Sequence, residues 1–139
     1  AYVFNFFTSF GYFDTLEDNK KVIEVMSNSL NSGGTLVIDF LNAAKAVQNI
    51  VSEETKKLSN VSFEIERKLE NNVLIKDIRF NYKDEDYHYQ EKVQALRLSD
   101  FQSLIKNTDL SLLEIYGDYA LNAFDETNSD RLIMVFKKA

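Results

Sequence analysis

The segment that decides the fold runs from Asn31 to Leu41 and reads NSGGTLVIDFL. Its last seven residues, which begin at Thr35, form an apolar run without alternation. Such a run is typical of a strand buried on both faces, as in a parallel sheet. The two glycines before it predict the end of a helix, because glycine tolerates the left-handed conformation that a helix end requires.

A second apolar run, Tyr2 to Phe7, lies upstream of the same glycines. Between the two runs, apolar residues recur at helical spacing from Val22 to Leu30, and Asp14 or Thr15 can cap the start of that helix. A strand, a helix of about 15 residues, a Gly-Gly pair and a strand indicate a parallel βαβ crossover. The sequence therefore predicts the α/β class.

The pattern changes further along, after a short predicted helix (Asn42–Val51) and a polar link through Lys57. From Val61 to Leu69 apolar and polar residues alternate, which is typical of a half-exposed antiparallel strand. Asparagines at 71 and 72 predict a hairpin turn, since asparagine accepts positive φ. Strands over 73–82 and 87–98 complete a predicted three-stranded meander, with a bulge near residue 77.

The C-terminal part predicts one more helix and two more strands. The helix covers Asp100–Asn107 with Ser99 as its cap, and the strands are Leu110–Tyr116 and Arg131–Lys138. A polar loop, 117–129, joins these strands. We expect one of them to be antiparallel, which gives a mixed sheet.

Composition excludes several classes of function. The chain has 139 residues, no cysteine and a net charge of −6. The charge disfavours nucleic acid and anionic membrane as partners, and the missing cysteines exclude disulfides and thiolate chemistry. The single histidine, His88, excludes a multi-histidine metal site, and no apolar run approaches the ~20 residues of a membrane span. We expect a cytoplasmic protein without a metal site.

Six strings occur in a recognisable order: Asn5–Phe13, Glu17–Gly34, Thr35–Asn42, Glu91–Phe101, Tyr116–Tyr119 and Ser129–Ile133. Their order resembles the C-terminal part of a class I S-adenosylmethionine (SAM) dependent methyltransferase, although Ser32 stands where the family usually has proline. The resemblance implies the C-terminal part of a Rossmann-like fold, a mixed sheet with helices. An antiparallel meander over residues 61–98 would be inserted into this single partial domain.

The resemblance also implies that half of the cofactor site is absent. The family holds the methionine end of SAM with a glycine-rich loop and the ribose with an acidic residue. The four glycines here, Gly11, Gly33, Gly34 and Gly117, form no such Gly-x-Gly loop. We therefore expect an inactive fragment of a full-length enzyme that methylates a small-molecule acceptor with SAM.

Candidate site residues follow from the rule that ligands bind outside the carboxyl ends of parallel strands. Aromatic faces there can also favour a cationic sulfonium. In a structural interpretation, Phe7, Phe10 and Phe13 are core residues and Thr8-Ser9 is a turn. The resemblance implies cofactor contacts at Asn5, Phe7, Thr8 and Ser9, and acceptor contacts at Phe10, Tyr12 and Arg131. We expect further acceptor contacts at Asn42, which also has a structural interpretation, and at Tyr89.

Other polar residues have two interpretations each. Asp39 lies in an apolar run and needs a partner, so we favour a structural role, such as a bond to a loop backbone, over a place at the substrate mouth. Arg131 either binds an acceptor carboxylate or pairs with an acid. His88 is a candidate general base, but a solvent-facing histidine opposite its tyrosine neighbours is favoured. Tyr87 and Tyr89 line a substrate cavity or pack on a core.

The first strand also predicts an assembly. In the family fold another strand lies beside Tyr2–Phe7, and without it this apolar edge recruits strands. We expect a homodimer through this N-terminal strand. The alternatives are a pure assembly domain and a non-catalytic α+β module that binds a small ligand. Parallel pairing of Tyr2–Phe7 with Thr35–Leu41 favours the methyltransferase. The module's apolar cup would be lined by Phe63, Ile65, Phe80, Tyr82, Tyr87 and Tyr89.

Overall fold

The computed structural model describes residues 2–5 and 16–139, without the side chains of Asn5 and Leu16. These residues form two compact units, one comprising the described residues up to Ala46 together with Leu96–Ala139, and the other Val47–Ala95. The described elements are β1 (Tyr2–Asn5), α1 (Leu16–Asn28), β2 (Thr35–Leu41), α2 (Ala43–Gln48), β3 (Glu53–Leu58), β4 (Val61–Glu70), β5 (Val73–Tyr82), β6 (Glu85–Gln94), α3 (Leu98–Leu104), β7 (Leu110–Tyr116) and β8 (Arg131–Lys138).

The first unit contains a four-stranded mixed sheet in the order β1-β2-β8-β7. Strand β1 pairs with β2 in parallel, from Tyr2 opposite Thr35 to Asn5 opposite Ile38. Strand β8 lies antiparallel between β2 and β7. The predicted mixed sheet is confirmed, and the parallel pairing is the one that favours the methyltransferase interpretation over a single antiparallel cup.

The core of this unit lies on one face of the sheet. Alternate residues of β2 and β8 point to that face, so that Phe40 stands opposite Leu132. The Phe40 ring meets Phe101 of α3 edge-on, with ring centroids 5.3 Å apart. Burial of each such side chain contributes about 1.5–3 kcal/mol, so the two strands and α3 act as one stabilising layer. Fully buried apolar residues of this unit include Ile23, Leu36, Ile38, Phe40, Phe101, Met134 and Phe136.

The end of α1 is fixed by the last strand. The helix ends at Asn28, before the glycines that were expected to end it, and Gly33, with a φ of +80°, lies in the following turn, in which the Gly34 N–H donates to the Asn31 carbonyl at 2.9 Å. The last turn of α1 contains no basic residue. Lys138 of β8 supplies the positive charge instead, because its Nζ donates to the carbonyl oxygens of Ser27 at 2.7 Å and Leu30 at 2.9 Å. A distant strand therefore caps the helix.

The predicted start of α3 is wrong by two residues. Ser99 is not the cap, because the helix spans Leu98–Leu104 with Arg97 at its N-cap position. The Asp100 carboxylate accepts the Arg97 backbone N–H at 2.8 Å. An acidic residue at the third helical position accepts the N–H of the N-cap residue. Asp100 therefore fixes Arg97 as the N-cap, and the helix starts two residues earlier than a Ser99 cap would allow.

The second unit contains a four-stranded antiparallel sheet in the order β3-β4-β5-β6. Its strands are joined by two-residue turns in which both residues have positive φ, the geometry that matches the twist of a hairpin. The predicted asparagine turn is confirmed, and the third predicted strand spans Glu85–Gln94 instead of 87–98. The turn residues are Ser59-Asn60, Asn71-Asn72 and Lys83-Asp84.

Two expectations for this sheet are wrong. The segment expected as a polar link contains the edge strand β3, whose six residues EETKKL are mostly exposed. It pairs through its backbone, and charged side chains suit an edge. The bulge expected near Asp77 is also absent from the register of β5, which runs unbroken through this residue. The alternation of apolar residues in β5 is interrupted for another reason: Ile75 and Ile78 are both apolar but lie on opposite faces of the sheet, and Ile75 is buried. A register shift occurs instead in β7, between Leu112 and Glu114.

Candidate functional site

Three side chains meet near the carboxyl end of β2, and we call them the Asp39 cluster: Asp39, Tyr119 and Arg131. Asp39 is 1% exposed. Arg131 donates to its Oδ1 from Nε at 3.0 Å and lies 2.9 Å from it through Nη2. Tyr119 donates its hydroxyl to Oδ2 at 2.7 Å. Both carboxylate oxygens therefore have strong donors, which offsets the cost of burying the charge.

Strand register explains how the sequence assembles this cluster. Arg131, the first residue of β8, stands opposite Leu41 in β2. Because side chains alternate between faces, Arg131 shares a face with Asp39 as its diagonal neighbour. Tyr119 comes from the loop that follows β7. Its ring centroid lies 5.8 Å from the Arg131 guanidinium carbon, within range of a cation–π contact.

The electrostatics of the Asp39 cluster keep Tyr119 protonated. The hydrogen bond to Asp39 raises the pKa of the Tyr119 phenol, and burial and the negative charge of Asp39 add to the effect. The Arg131 charge opposes this shift. Tyr119 is consequently a neutral donor to Asp39, while its side chain remains 60% exposed. It presents a fixed aromatic surface to solvent at the carboxyl edge of the sheet.

The loop that carries Tyr119, residues 117–130, is closed on itself. Gly117 donates its N–H to the Asn122 carbonyl at 2.8 Å and accepts the Arg131 N–H at 2.9 Å. A Cβ at Gly117 would lie 2.1 Å from the Ser129 Oγ, so only glycine fits between the two ends of the loop. Tyr119 is therefore held by loop geometry as well as by Asp39.

Two aspartates brace the same loop. Asp118 accepts backbone N–H groups of Ala120 at 3.0 Å and Asn122 at 3.1 Å. Asp125 accepts those of Thr127 at 2.8 Å and Asn128 at 3.1 Å. A hydrogen bond from the Asn122 side chain chiefly lowers the pKa of Asp118, and the Thr127 N–H chiefly lowers that of Asp125. Both carboxylates thus stabilise the loop in their charged form.

The predicted residues at this end of the sheet have structural partners. Asn42 is 4% exposed and donates Nδ2 to the carbonyl oxygens of Glu126 and Ser129, both at 2.8 Å. Arg131 pairs with an acid, one of its two expected roles, but the acid is buried. Asp39 takes the favoured structural role. Its partners include the side chains of Tyr119 and Arg131, where the sequence suggested a loop backbone. Acceptor binding by Asn42 and Arg131 stays a prediction.

The predicted cofactor segment begins beside this cluster. Asn5 is the last residue of β1 and stands opposite Ile38, the neighbour of Asp39. Its backbone therefore reaches the same edge of the sheet. The remaining predicted contacts lie outside the described residues, and their roles stay predictions. They are Phe7, Thr8, Ser9, Phe10 and Tyr12.

Sequence reasoning missed Tyr119 as a site residue, although it lies in the string 116–119 that carried part of the resemblance. The signal was Asp39 itself, because a buried carboxylate requires donors from elsewhere. The donor's identity depends on a contact across 80 positions of sequence. No local pattern encodes such a contact.

The second unit places His88 on a polar face. Its Nε2 lies 2.8 Å from Asp77 Oδ1, which also accepts the Gln90 amide at 3.1 Å. The hydrogen bond with His88, followed by that with Gln90, lowers the pKa of Asp77. The His88 side chain is 48% exposed and lines a concavity of about 580 Å³. The favoured solvent-facing histidine is confirmed, and its partner Asp77 is new.

The two tyrosines beside His88 lie on the other face of the same sheet. The Phe80 ring stacks on Tyr87 at 5.0 Å and on Tyr89 at 6.0 Å between centroids. Tyr89 lines a shallow apolar concavity of about 330 Å³. Its role as an acceptor contact stays a prediction.

Neither a metal centre nor a membrane span is found in the part of the chain that the structure describes. No group of three or more potential metal ligands comes together among residues 2–5 and 16–139. None of the described helices is long and apolar enough to cross a membrane.

Comparison with solved structures identifies the fold. No protein-family model and no curated protein matches the sequence. A SAM-dependent methyltransferase from Clostridium acetobutylicum superposes with a TM-score of 0.86 at 17% identity, over 99% of this chain and 58% of its own. The chain has a methyltransferase fold. The CcbJ methyltransferase from Streptomyces caelestis gives 0.84 at 17% identity, over 99% of this chain and 60% of its own.

A third protein with the methyltransferase fold was solved with SAM bound. This protein, the amino pentose methyltransferase CalS10 from Micromonospora echinaspora, gives a TM-score of 0.73 at 12% identity. The match covers 99% of this chain and 58% of CalS10. The chain thus spans less than two-thirds of the length of these structural relatives. The predicted fold, with its resemblance to part of a methyltransferase, is confirmed.

Proposed function

We propose that the full-length protein is a SAM-dependent methyltransferase that acts on a small molecule. The observation that carries the proposal is the strand order β1-β2-β8-β7, with β1 and β2 parallel and β8 antiparallel between β2 and β7. This order accompanies a TM-score of 0.86 to a SAM-dependent methyltransferase. The amino pentose named for CalS10 supports a small acceptor. A cytoplasmic location is part of the proposal.

The chain's own contribution is to position the reactants. When bound, SAM supplies an electrophilic methyl group, and its transfer depends mainly on alignment with the acceptor. Asn5, Phe7, Thr8 and Ser9 would contact the cofactor at the end of β1. Tyr119, fixed by the Asp39 cluster, would form a wall at the neighbouring end of β2. Acceptor contacts are proposed at Phe10, Tyr12, Asn42, Tyr89 and Arg131.

The described residues supply only part of a cofactor site. Gly33 lies in the turn before β2 and Gly117 in a closed loop, and neither belongs to a Gly-x-Gly turn. Asp39, the buried carboxylate at the end of β2, is already bound to Tyr119 and Arg131. The adenosyl group and the methionine end of SAM therefore require the remainder of the full-length protein. We propose that the 139-residue chain alone is inactive.

Calorimetric titration with SAM tests both statements. We expect micromolar binding by the full-length protein and no measurable binding by the 139-residue chain at the same concentration. Failure of the full-length protein to bind SAM would contradict the enzyme assignment. Micromolar binding by the chain alone would contradict its proposed inactivity.

The exposed edge of the first sheet supports a site of assembly. Strand β1 is an edge strand with Tyr2 69% and Phe4 53% exposed, and their rings stack at 6.0 Å. In the full-length protein we propose that another strand of the same chain pairs here. In the isolated chain the same edge would recruit a second copy, which gives the predicted homodimer.

A further inference from the structure

The loop at residues 117–130 contains a strained residue. Leu121 has a φ of +62°, in the left-handed region where a side chain brings its Cβ close to the following carbonyl oxygen. Six other non-glycine residues in the described part of the chain have positive φ, and all six are polar residues of the hairpin turns in the second unit. A bulky apolar residue in this conformation is an outlier, and such outliers cluster at functional sites.

The fold itself does not require leucine at this position. Leu121 is 59% exposed, so its side chain is not part of the core. Glycine, which has no Cβ, or asparagine, which bonds locally to the backbone, adopts positive φ more readily. Leucine here strains the loop without adding to the core.

Hydrogen bonds on both sides of Leu121 hold it in this conformation. Its own N–H donates to the Asp118 carbonyl at 3.1 Å, which closes a four-residue turn. The Asp118 carboxylate accepts the next N–H, that of Asn122, at 3.1 Å, and the Asn122 carbonyl accepts the Gly117 N–H at 2.8 Å. The position of the Leu121 Cβ is therefore fixed by its neighbours.

Leu121 lies beside Tyr119, at the edge of the sheet where the parallel strands end. Two residues span at most about 7 Å of chain, so the two Cα atoms are close. Tyr119 is 60% exposed and donates its hydroxyl to Asp39 at 2.7 Å, near the carboxyl end of β2. We call the side chains of Tyr119 and Leu121 the apolar lip. Ligands of such sheets bind outside the carboxyl ends of the strands.

The polar groups around the apolar lip are bound within the first unit. Asp118 and Asp125 each accept two backbone N–H groups of the loop. The Tyr119 hydroxyl is bound to Asp39. What the lip offers to a ligand is therefore apolar contact, which suits an uncharged apolar part of that ligand.

We propose that the apolar lip contacts an apolar surface of the methyl acceptor and that Leu121 determines specificity for acceptors with such a surface. This inference rests on the proposed function and names the part of the acceptor that this edge of the sheet recognises. One methylene group in a hydrophobic pocket changes discrimination by about 10–200-fold, so a single leucine is sufficient for a measurable preference. The strain at residue 121 is then a consequence of placing leucine where the acceptor binds.

Saturation-transfer NMR with cyclohexanol tests the proposal in the full-length protein, loaded with S-adenosylhomocysteine, the demethylated form of the cofactor. Cyclohexanol is an uncharged probe that combines an apolar ring with a hydroxyl group. We expect Leu121→Asn to raise the dissociation constant of cyclohexanol at least about 10-fold. The control is Leu113→Asn, the same change at a leucine of β7 that is 60% exposed, and it leaves the dissociation constant unchanged.

Thermal melts of the same samples separate ligand binding from folding. We expect Leu121→Asn to keep or raise Tm, because asparagine adopts positive φ more readily than leucine. Leu113→Asn should lower Tm slightly, since asparagine is depleted in strands.

Two results would overturn this inference and leave the proposed function standing. One is a wild-type protein that binds SAM but binds cyclohexanol no better than Leu121→Asn does. The other is a Tm of Leu121→Asn several degrees below that of the wild type, which would assign the leucine to the fold. A full-length protein that does not bind SAM in calorimetry is a distinguishable result, because it overturns the proposed function and this inference together.

Discussion

At the scale of single residues, Asp39 is the group on which the candidate site depends. It is a buried carboxylate whose two oxygens are bound by Arg131 and Tyr119. Removing one partner of a buried ion pair lowers the stability far more than replacing both partners by apolar residues, because it leaves an uncompensated buried charge. The exposed pair of Lys45 and Asp130 offers a natural comparison, with side chains 35% and 78% exposed.

We expect Arg131→Ala to lower the free energy of unfolding by about 3–5 kcal/mol, and Lys45→Ala to lower it by less than about 1 kcal/mol. Urea denaturation at pH 7 measures both. The apolar double variant Asp39→Leu/Arg131→Met should recover most of the loss, since it removes both charges. Equal effects of the two single variants would contradict the stated burial of the pair.

The loop aspartates predict a dependence on pH. The pKa values of Asp118 and Asp125 are lowered in the folded chain. Their contribution to stability is therefore complete above the ordinary aspartate pKa of about 4, and it is lost as pH falls through the lowered folded values. Thermal melts from pH 6 to pH 2.5 should show a smaller loss of Tm in Asp118→Asn/Asp125→Asn than in the wild type. Identical slopes would count against these capping bonds.

At the scale of elements, the sequence predicted those strands and helices whose burial produces a local pattern of apolar residues. The run TLVIDFL predicted the strand β2, although the burial of its residues alternates from Thr35 to Ile38. The glycines before it predicted a break in the chain before β2, but α1 itself ends earlier, at Asn28. Strand β3 has no such apolar pattern, since EETKKL pairs through its backbone at an edge. The cap on α1 was also hidden, because Lys138 lies more than a hundred positions away from the carbonyl groups that it binds.

That cap gives a test at the same scale. We expect Lys138→Met to destabilise the chain by about 1–2 kcal/mol, because two carbonyl oxygens at the end of α1 lose a charged donor. The neighbouring Lys137→Met, at an exposed position of the same strand, should change stability by less than about 0.5 kcal/mol. Chemical denaturation compares them. Indistinguishable variants would show that β8 does not cap the helix.

At the scale of the whole molecule, the superpositions on the two solved methyltransferases cover 99% of this chain but only 58% and 60% of the relatives' chains. The fold could be predicted because the order of several weak strings is more specific than any one of them. The candidate site could be predicted only as far as the ends of β1 and β2. Tyr119 reaches Asp39 through the closed geometry of a loop, which no periodic pattern in the sequence reports.

The proposal that SAM binding requires the remainder of the protein can be tested by complementation. We expect the upstream portion of the full-length protein, expressed separately, to restore SAM binding when it is mixed with the 139-residue chain. Phe4→Lys should weaken this restoration, because it places a charge on the apolar edge at β1. Calorimetry measures both mixtures. Full restoration with Phe4→Lys would show that the two portions do not join at this edge.

The space at Gly117 has a consequence for how the protein can vary. A methyl group there would act as a wedge against the Ser129 hydroxyl, 2.1 Å away, and force the two ends of the loop apart. Tyr119 would then move away from Asp39, and this buried carboxylate would lose one of its hydrogen-bond donors. Adding one carbon to a surface loop would thus unbalance a charge inside the sheet.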